Sequence, residues 1–86
     1  MDSLRRCLLE LLSQRAPAAS ICPSEVARAH SSDEGQWRAL MQPVREVAMD
    51  LARRGLIEIT QGSARVDPDA AVTGPIRLRR GPRFPG

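Results

Sequence analysis

Residues Arg53 to Val66 read RRGLIEITQGSARV, and a change of rhythm inside this stretch decides the fold. Up to Arg54 the chain keeps a helical period, with Trp37, Leu40, Met41, Val44, Val47, Ala48 and Leu51 on one face. Beyond it, Ile57 and Ile59 alternate with Glu58 and Thr60. Gln61-Gly62-Ser63 makes a tight turn, and Ala64 and Val66 then alternate with Arg65 and Asp67, which is the pattern of a β-hairpin. Between the two lies a helix stop. Arg53 and Arg54 place cations at the helix's negative end, Gly55 suits left-handed geometry, and Leu56 can fold back against the last turn.

Working upstream, the helical phase runs back to Glu34, behind the turn Ser31-Ser32-Asp33, so one helix is predicted over 34–54. Pro43 falls on the opposite, solvent-facing side. It removes a backbone donor and displaces the carbonyl of Ala39, so it should kink the helix or divide it into two nearly collinear pieces. Trp37 lies on the apolar stripe and is predicted to be core.

Further upstream, Ile21 to Arg28 reads ICPSEVAR. Proline is favoured at the first helical position, and a capping box needs a small polar residue before it and Glu three residues on. Cys22-Pro23-Ser24-Glu25 has that layout with a thiol, a poor acceptor, in the capping place, and predicts a helix over 23–30 in which Ser24 assists the cap. A metal or redox role for Cys22 would need partners. Cys7, Cys22 and His30 make at most three ligands, without the close pairs of a structural zinc site. His30 belongs instead to the helix's negative end.

The first segment is amphipathic. Asp2 or Ser3 can cap it, Leu4, Cys7, Leu8, Leu11 and Leu12 form one stripe, and Pro17 ends it, giving a helix over 1–15 and a short strand over 18–21. On the far side of the hairpin at 56–66, Asp67-Pro68-Asp69 suggests a cap and one helical turn. Gly74 is its exit, and Ile76 and Leu78 alternate with Arg77 and Arg79 as an added strand, so 68–79 completes the domain. Residues 80–86 read as a flexible basic tail. The predicted fold is mostly α with a small β-hairpin: a winged helix-turn-helix of three helices and a two- to three-stranded wing sheet, one domain over 1–79.

At 86 residues a chain buries only about 60 to 65% of the surface it exposes when unfolded, which leaves little room for a deep substrate cavity. No apolar run approaches the roughly 18 residues of a membrane span, and acids at Asp2 and Glu10 do not fit a secretory leader, so a soluble cytoplasmic protein is expected. Residues 1–73 carry nine Arg against ten acids, whereas residues 74–86 carry four Arg and no acid. The net +3 therefore sits at the C-terminal end rather than on the body.

Several blocks taken in order, CPSEVAR, WRALMxPVR at Trp37 to Arg45, EITQG at Glu58 to Gly62, VDP at Val66 to Pro68 and GPIRLR at Gly74 to Arg79, resemble a family of small bacterial proteins known as a domain of unknown function. The resemblance covers nearly the whole chain. It implies a winged-helix fold and no established activity, and it assigns no functional residues.

Two functions fit this reading. In the first, the helix at 34–54 reads duplex DNA: Arg38, Gln42 and Arg45 form one exposed stripe of residue types suited to base edges and phosphates. Gln61, Ser63 and Arg65 of the wing would touch the backbone, and Arg77, Arg79, Arg80 and Arg83 would follow a neighbouring groove as basic arms do. The same arginines also suit a merely solvated face, with Glu34 and Asp50 pairing Arg38 and Arg54, and Glu46 would repel phosphate. In the second, the fold serves as a dimerisation or protein-docking module. No catalysis, cofactor, metal or small-molecule substrate is expected, for want of a nucleophile with a base, paired carboxylates, a phosphate loop or metal-ligand spacing.

Overall fold

The computed structural model describes residues 2–69 and 74–85. Its elements follow the expected order: α1 (Asp2–Ser13), β1 (Ser20–Ile21), α2 (Pro23–His30), α3 (Glu34–Ala39), α4 (Met41–Arg53), β2 (Ile57–Gln61), β3 (Ala64–Val66) and β4 (Arg77–Arg80). Helices cover one face of an antiparallel sheet, an arrangement compatible with a winged-helix-like α+β fold.

The starts of α2 and α3 and the end of α4 have local causes. At α2, the Glu25 carboxylate turns back to accept the Cys22 amide at 2.7 Å, while the Ser24 hydroxyl donates to the Cys22 sulfur at 3.2 Å. Asp33 caps α3 by accepting the Gln36 amide at 3.0 Å. The long helix divides. Leu40 ends α3 and starts α4, which places Pro43 in the first turn of α4, where an amide donor would have no intrahelical partner. At the other end, Gly55 sits at φ 78° and donates to the Ala52 carbonyl at 3.0 Å, and Leu56 donates to the Leu51 carbonyl at 3.0 Å. These two bonds are the Schellman pattern that Arg54-Gly55-Leu56 implied.

The buried core is wholly apolar. Leu4, Leu8 and Leu12 of α1, Val26 and Ala27 of α2, and Val44, Val47, Ala48 and Leu51 of α4 meet Ile21, Ile57, Ile59, Ile76 and Leu78 from the sheet side. Cys7 and Leu11 are partly buried against this cluster, and the Cys7 thiol donates to the Val26 carbonyl at 3.7 Å. Trp37 differs from expectation. Nothing on α3 is fully buried, because the break at Leu40 leaves this short helix on the rim, and Trp37 lies half-covered against the core.

The sheet is larger than the expected two or three strands, in the order β1-β4-β2-β3. Gly62, at φ 63°, occupies the first position of the two-residue turn joining β2 to β3, a place that type II′ turns reserve for glycine. β4 lies between β1 and β2, pairing Ile21 with Leu78 on one side and Ile59 with Leu78 on the other. Leu78 thus sits in the middle of the sheet and faces the helices. The helical turn expected after Pro68 falls mainly on residues 70–73, outside the described residues.

The segment read as a flexible tail has a place in the fold. Arg80 closes β4, and the chain then turns back on the end of α4: the Gly81 amide donates to the Leu56 carbonyl at 3.0 Å and the Arg83 amide to the Gly55 carbonyl at 2.9 Å. Gly81 is required by proximity, since a Cβ there would lie 2.5 Å from the Gly55 oxygen.

Candidate nucleic-acid interface

The sequence-predicted site residues fall into three groups. The first lies on the outward stripe of α3 and α4, where Arg38 and Gln42 are exposed. Arg38 makes a 3.8 Å ion pair with Glu34 across one helical turn, with both side chains more than two-thirds exposed. Arg45, half-buried, donates to the Gly74 carbonyl at 3.3 Å.

The second group is the β2–β3 hairpin. Gln61 donates its side-chain amide to the Pro75 carbonyl at 3.2 Å, so Arg45 of α4 and Gln61 of β2 hold adjacent carbonyls of one strap. This strap ties Arg45 of α4 to Gln61 at the end of β2. Ser63 is exposed at the turn, and Arg65 pairs with Glu58 at 3.2 Å on the outer sheet face.

The third group, the arginines of β4 and beyond, does not form an arm. Arg77 clamps β1, its guanidinium donating to the Ser20 hydroxyl at 3.0 Å and to the Ser20 carbonyl at 2.9 Å. Arg79 stands opposite Ser20 and Glu58 in register. Arg80 points to the helix side, where it donates to the carbonyls of Leu12 at 3.1 Å, Ser13 at 3.4 Å and Arg15 at 3.0 Å and stacks on Phe84 at 4.7 Å. The Leu12 carbonyl also accepts the Arg15 amide at 3.2 Å, so Arg80 adds a second donor there and reaches Ser13 and Arg15 beyond it, capping the end of α1. The Arg83 stem packs on Gly55, where a Cβ would meet it at 3.4 Å. Alternation along β4 explains the divergence, since Arg77 and Arg79 face outward while Arg80 faces in.

One residue escaped the sequence reading. Arg28, in the last turn of α2, lies over the Trp37 ring with its guanidinium 4.6 Å from the ring centroid, and Arg38 approaches the same ring at 5.5 Å. Nothing local in the sequence links positions 28 and 37. Only the packing of α2 on α3 brings them together.

Two titratable groups are perturbed. The hydrogen bond from the Cys22 amide, helped by Arg15 at 3.1 Å, holds the Glu25 carboxyl below its ordinary range against the opposing effect of burial. Burial, and then the charge of Glu10, pushes the Cys7 thiol up. Among the described residues no group of three or more His, Cys, Asp or Glu side chains is placed to hold a metal ion, and no described helix is long and apolar enough to cross a membrane.

No curated protein matches the chain. The sequence model of one family does match, over residues 1–81, nearly the whole chain and every described element. The chain belongs to the family described as "Protein of unknown function (DUF3253)".

Proposed function

We propose that the protein binds duplex DNA as a winged helix-turn-helix, with α2 and the α3–α4 pair as the two helices and β2–β3 as the wing. One observation carries the reading: Arg45 and Gln61 grip neighbouring carbonyls at Gly74 and Pro75, so α4 and the end of β2 are tied together through one strap. On the outward stripe of α3 and α4, Arg38 and Gln42 are exposed, Arg38 of a type that bonds phosphates as well as guanine edges and Gln42 of a type that bonds adenine edges, and the Gly62-Ser63 turn of the hairpin is exposed too, suited to the sugar-phosphate backbone. The reading is of a binding module without chemistry of its own.

A labelled mixed-sequence duplex, titrated by fluorescence anisotropy at several salt concentrations, tests it. Point variants suit this better than removal of the basic C-terminal end, because β4 is a central strand. Binding should weaken steeply with salt as phosphates are neutralised, and the double variant Arg38→Ala, Gln42→Ala should bind on the order of tenfold more weakly than the parent. Absence of binding at low salt would remove the reading.

A second reading, docking to a protein partner or to a second copy, is favoured by a different observation. Arg15, Arg38, Arg53, Arg54 and Arg65 each face a carboxylate, so much of the body's positive charge is answered internally. Light scattering on a sizing column separates the two: a dimer with no duplex affinity favours docking.

A further inference from the structure

The corner where α2 meets α3 carries a feature that groove reading alone does not use. Trp37 is the chain's one tryptophan, half-covered on the rim of the core, with the guanidiniums of Arg28 and Arg38 at 4.6 and 5.5 Å from its ring centroid. Both arginines are exposed. Among the described residues Arg28 has no carboxylate within ion-pair distance, and the Glu34 partner of Arg38 is 3.8 Å away in open solvent, a pairing worth little. The neighbouring acid, Asp33, is already occupied in capping α3.

Stacking on an indole holds a guanidinium through its flat face and leaves its edge donors outward and available, with less rotamer freedom left to lose on binding. Two guanidiniums sharing one ring can address the same phosphate or successive ones. Arg28 belongs to the helix preceding the proposed reading helix, the element that crosses the DNA backbone when the second helix of such a pair enters a groove. We infer that Arg28, Trp37 and Arg38 form a clamp for the phosphodiester backbone of nucleic acid, with Trp37 as the positioning residue and the two arginines as the phosphate contacts. The inference rests on the nucleic-acid reading above and assigns its backbone anchor to a pair of arginines and a ring.

Trp37 itself is the probe. Its emission is followed while the intact protein is titrated in parallel with a mixed-sequence duplex and with inorganic phosphate at matched ionic strength, and anisotropy of the labelled duplex reports binding independently. The expected result is an emission change that saturates together with the anisotropy, and no comparable change with inorganic phosphate. Arg28→Ala should weaken duplex binding on the order of tenfold and lower the steepness of the salt dependence by about one charge, while Arg28→Lys, which keeps the charge but not the fork, recovers the slope but only part of the affinity. Arg54→Ala, at a site paired with Asp50 and away from the clamp, should leave affinity within about twofold. Duplex binding with unaltered Trp37 emission and an unaltered Arg28→Ala affinity would overturn the clamp and leave the DNA reading standing. A response to inorganic phosphate equal to that with duplex would overturn the assignment to a nucleic-acid backbone, and failure to bind duplex at all would overturn both. Melting curves of each variant confirm that loss of affinity is not loss of fold.

Discussion

Arg80 and Glu25 are charged residues that serve the fold, each at the end of a helix. Arg80 supplies the end of α1 with a cap from the opposite end of the chain, so Arg80→Ala is expected to lower stability by about 1–2 kcal/mol, read from the thermal or urea midpoint. Arg79→Ala, on the outward face of the same strand, should change it by less than about 0.5 kcal/mol. Glu25 acts through pH. Its carboxyl titrates lower in the folded protein than in the unfolded chain, so its contribution is present above the ordinary glutamate value of about 4.3 and is lost as pH falls through the lowered folded value. Glu25→Gln should therefore flatten the acid side of the stability curve and bring the variant and the parent closer together at low pH. The Glu25 half of this was readable in the sequence, because a capping box is a four-residue pattern. The role of Arg80 was not, because the carbonyls it bonds lie 65 to 68 residues away and no periodicity relates them.

At the level of elements, what could be read tracks how local the cause is. The stop of α4, the β2–β3 hairpin and the start of α2 each follow from residues within one turn of each other, and they stand where the sequence indicated. Gly55→Ala tests the stop. At φ 78° an L side chain is strained, and the variant should be less stable by about 1–2 kcal/mol with helix content nearly unchanged by circular dichroism. Pro43 signalled a disturbance whose form the pattern left open between a bend and a division. The structure resolves it as a division at Leu40, with the consequence for Trp37 that a continuous helix would have hidden: the ring moves from core to rim and meets Arg28. The candidate interface was legible in the same measure. Arg38 and Gln42 follow from helical spacing, whereas Arg28 required knowing how two helices pack.

The molecule as a whole is joined by the chain's last strand. β4 lies between β1 and β2, Arg77 clamps β1, Arg80 caps α1, and the Gly81 turn locks against Gly55. Removing residues 76–86 should therefore abolish the cooperative unfolding transition rather than trim a tail, as scanning calorimetry would show. Gly81→Ala, which forces a Cβ against the Gly55 oxygen, should cost about 1–3 kcal/mol while leaving every arginine in place. Alternation at Ile76 to Arg79 marked a strand but not its neighbours, since strand order depends on pairing between Ser20 and Arg79, far apart in the chain.

That pairing also bears on how the fold is reached. α1, α2 and the β2–β3 hairpin can form from neighbours in sequence, but the sheet stays open until β4 arrives and bonds on both sides at once. The entropy of closing so long a loop must be met before any of those bonds repay it, so sheet closure is expected to be late and slow, which stopped-flow refolding of a Leu78→Ala variant would check. Until then β1 and β2 expose unpaired edges, so the last strand guards the folding chain against association as well as completing its sheet.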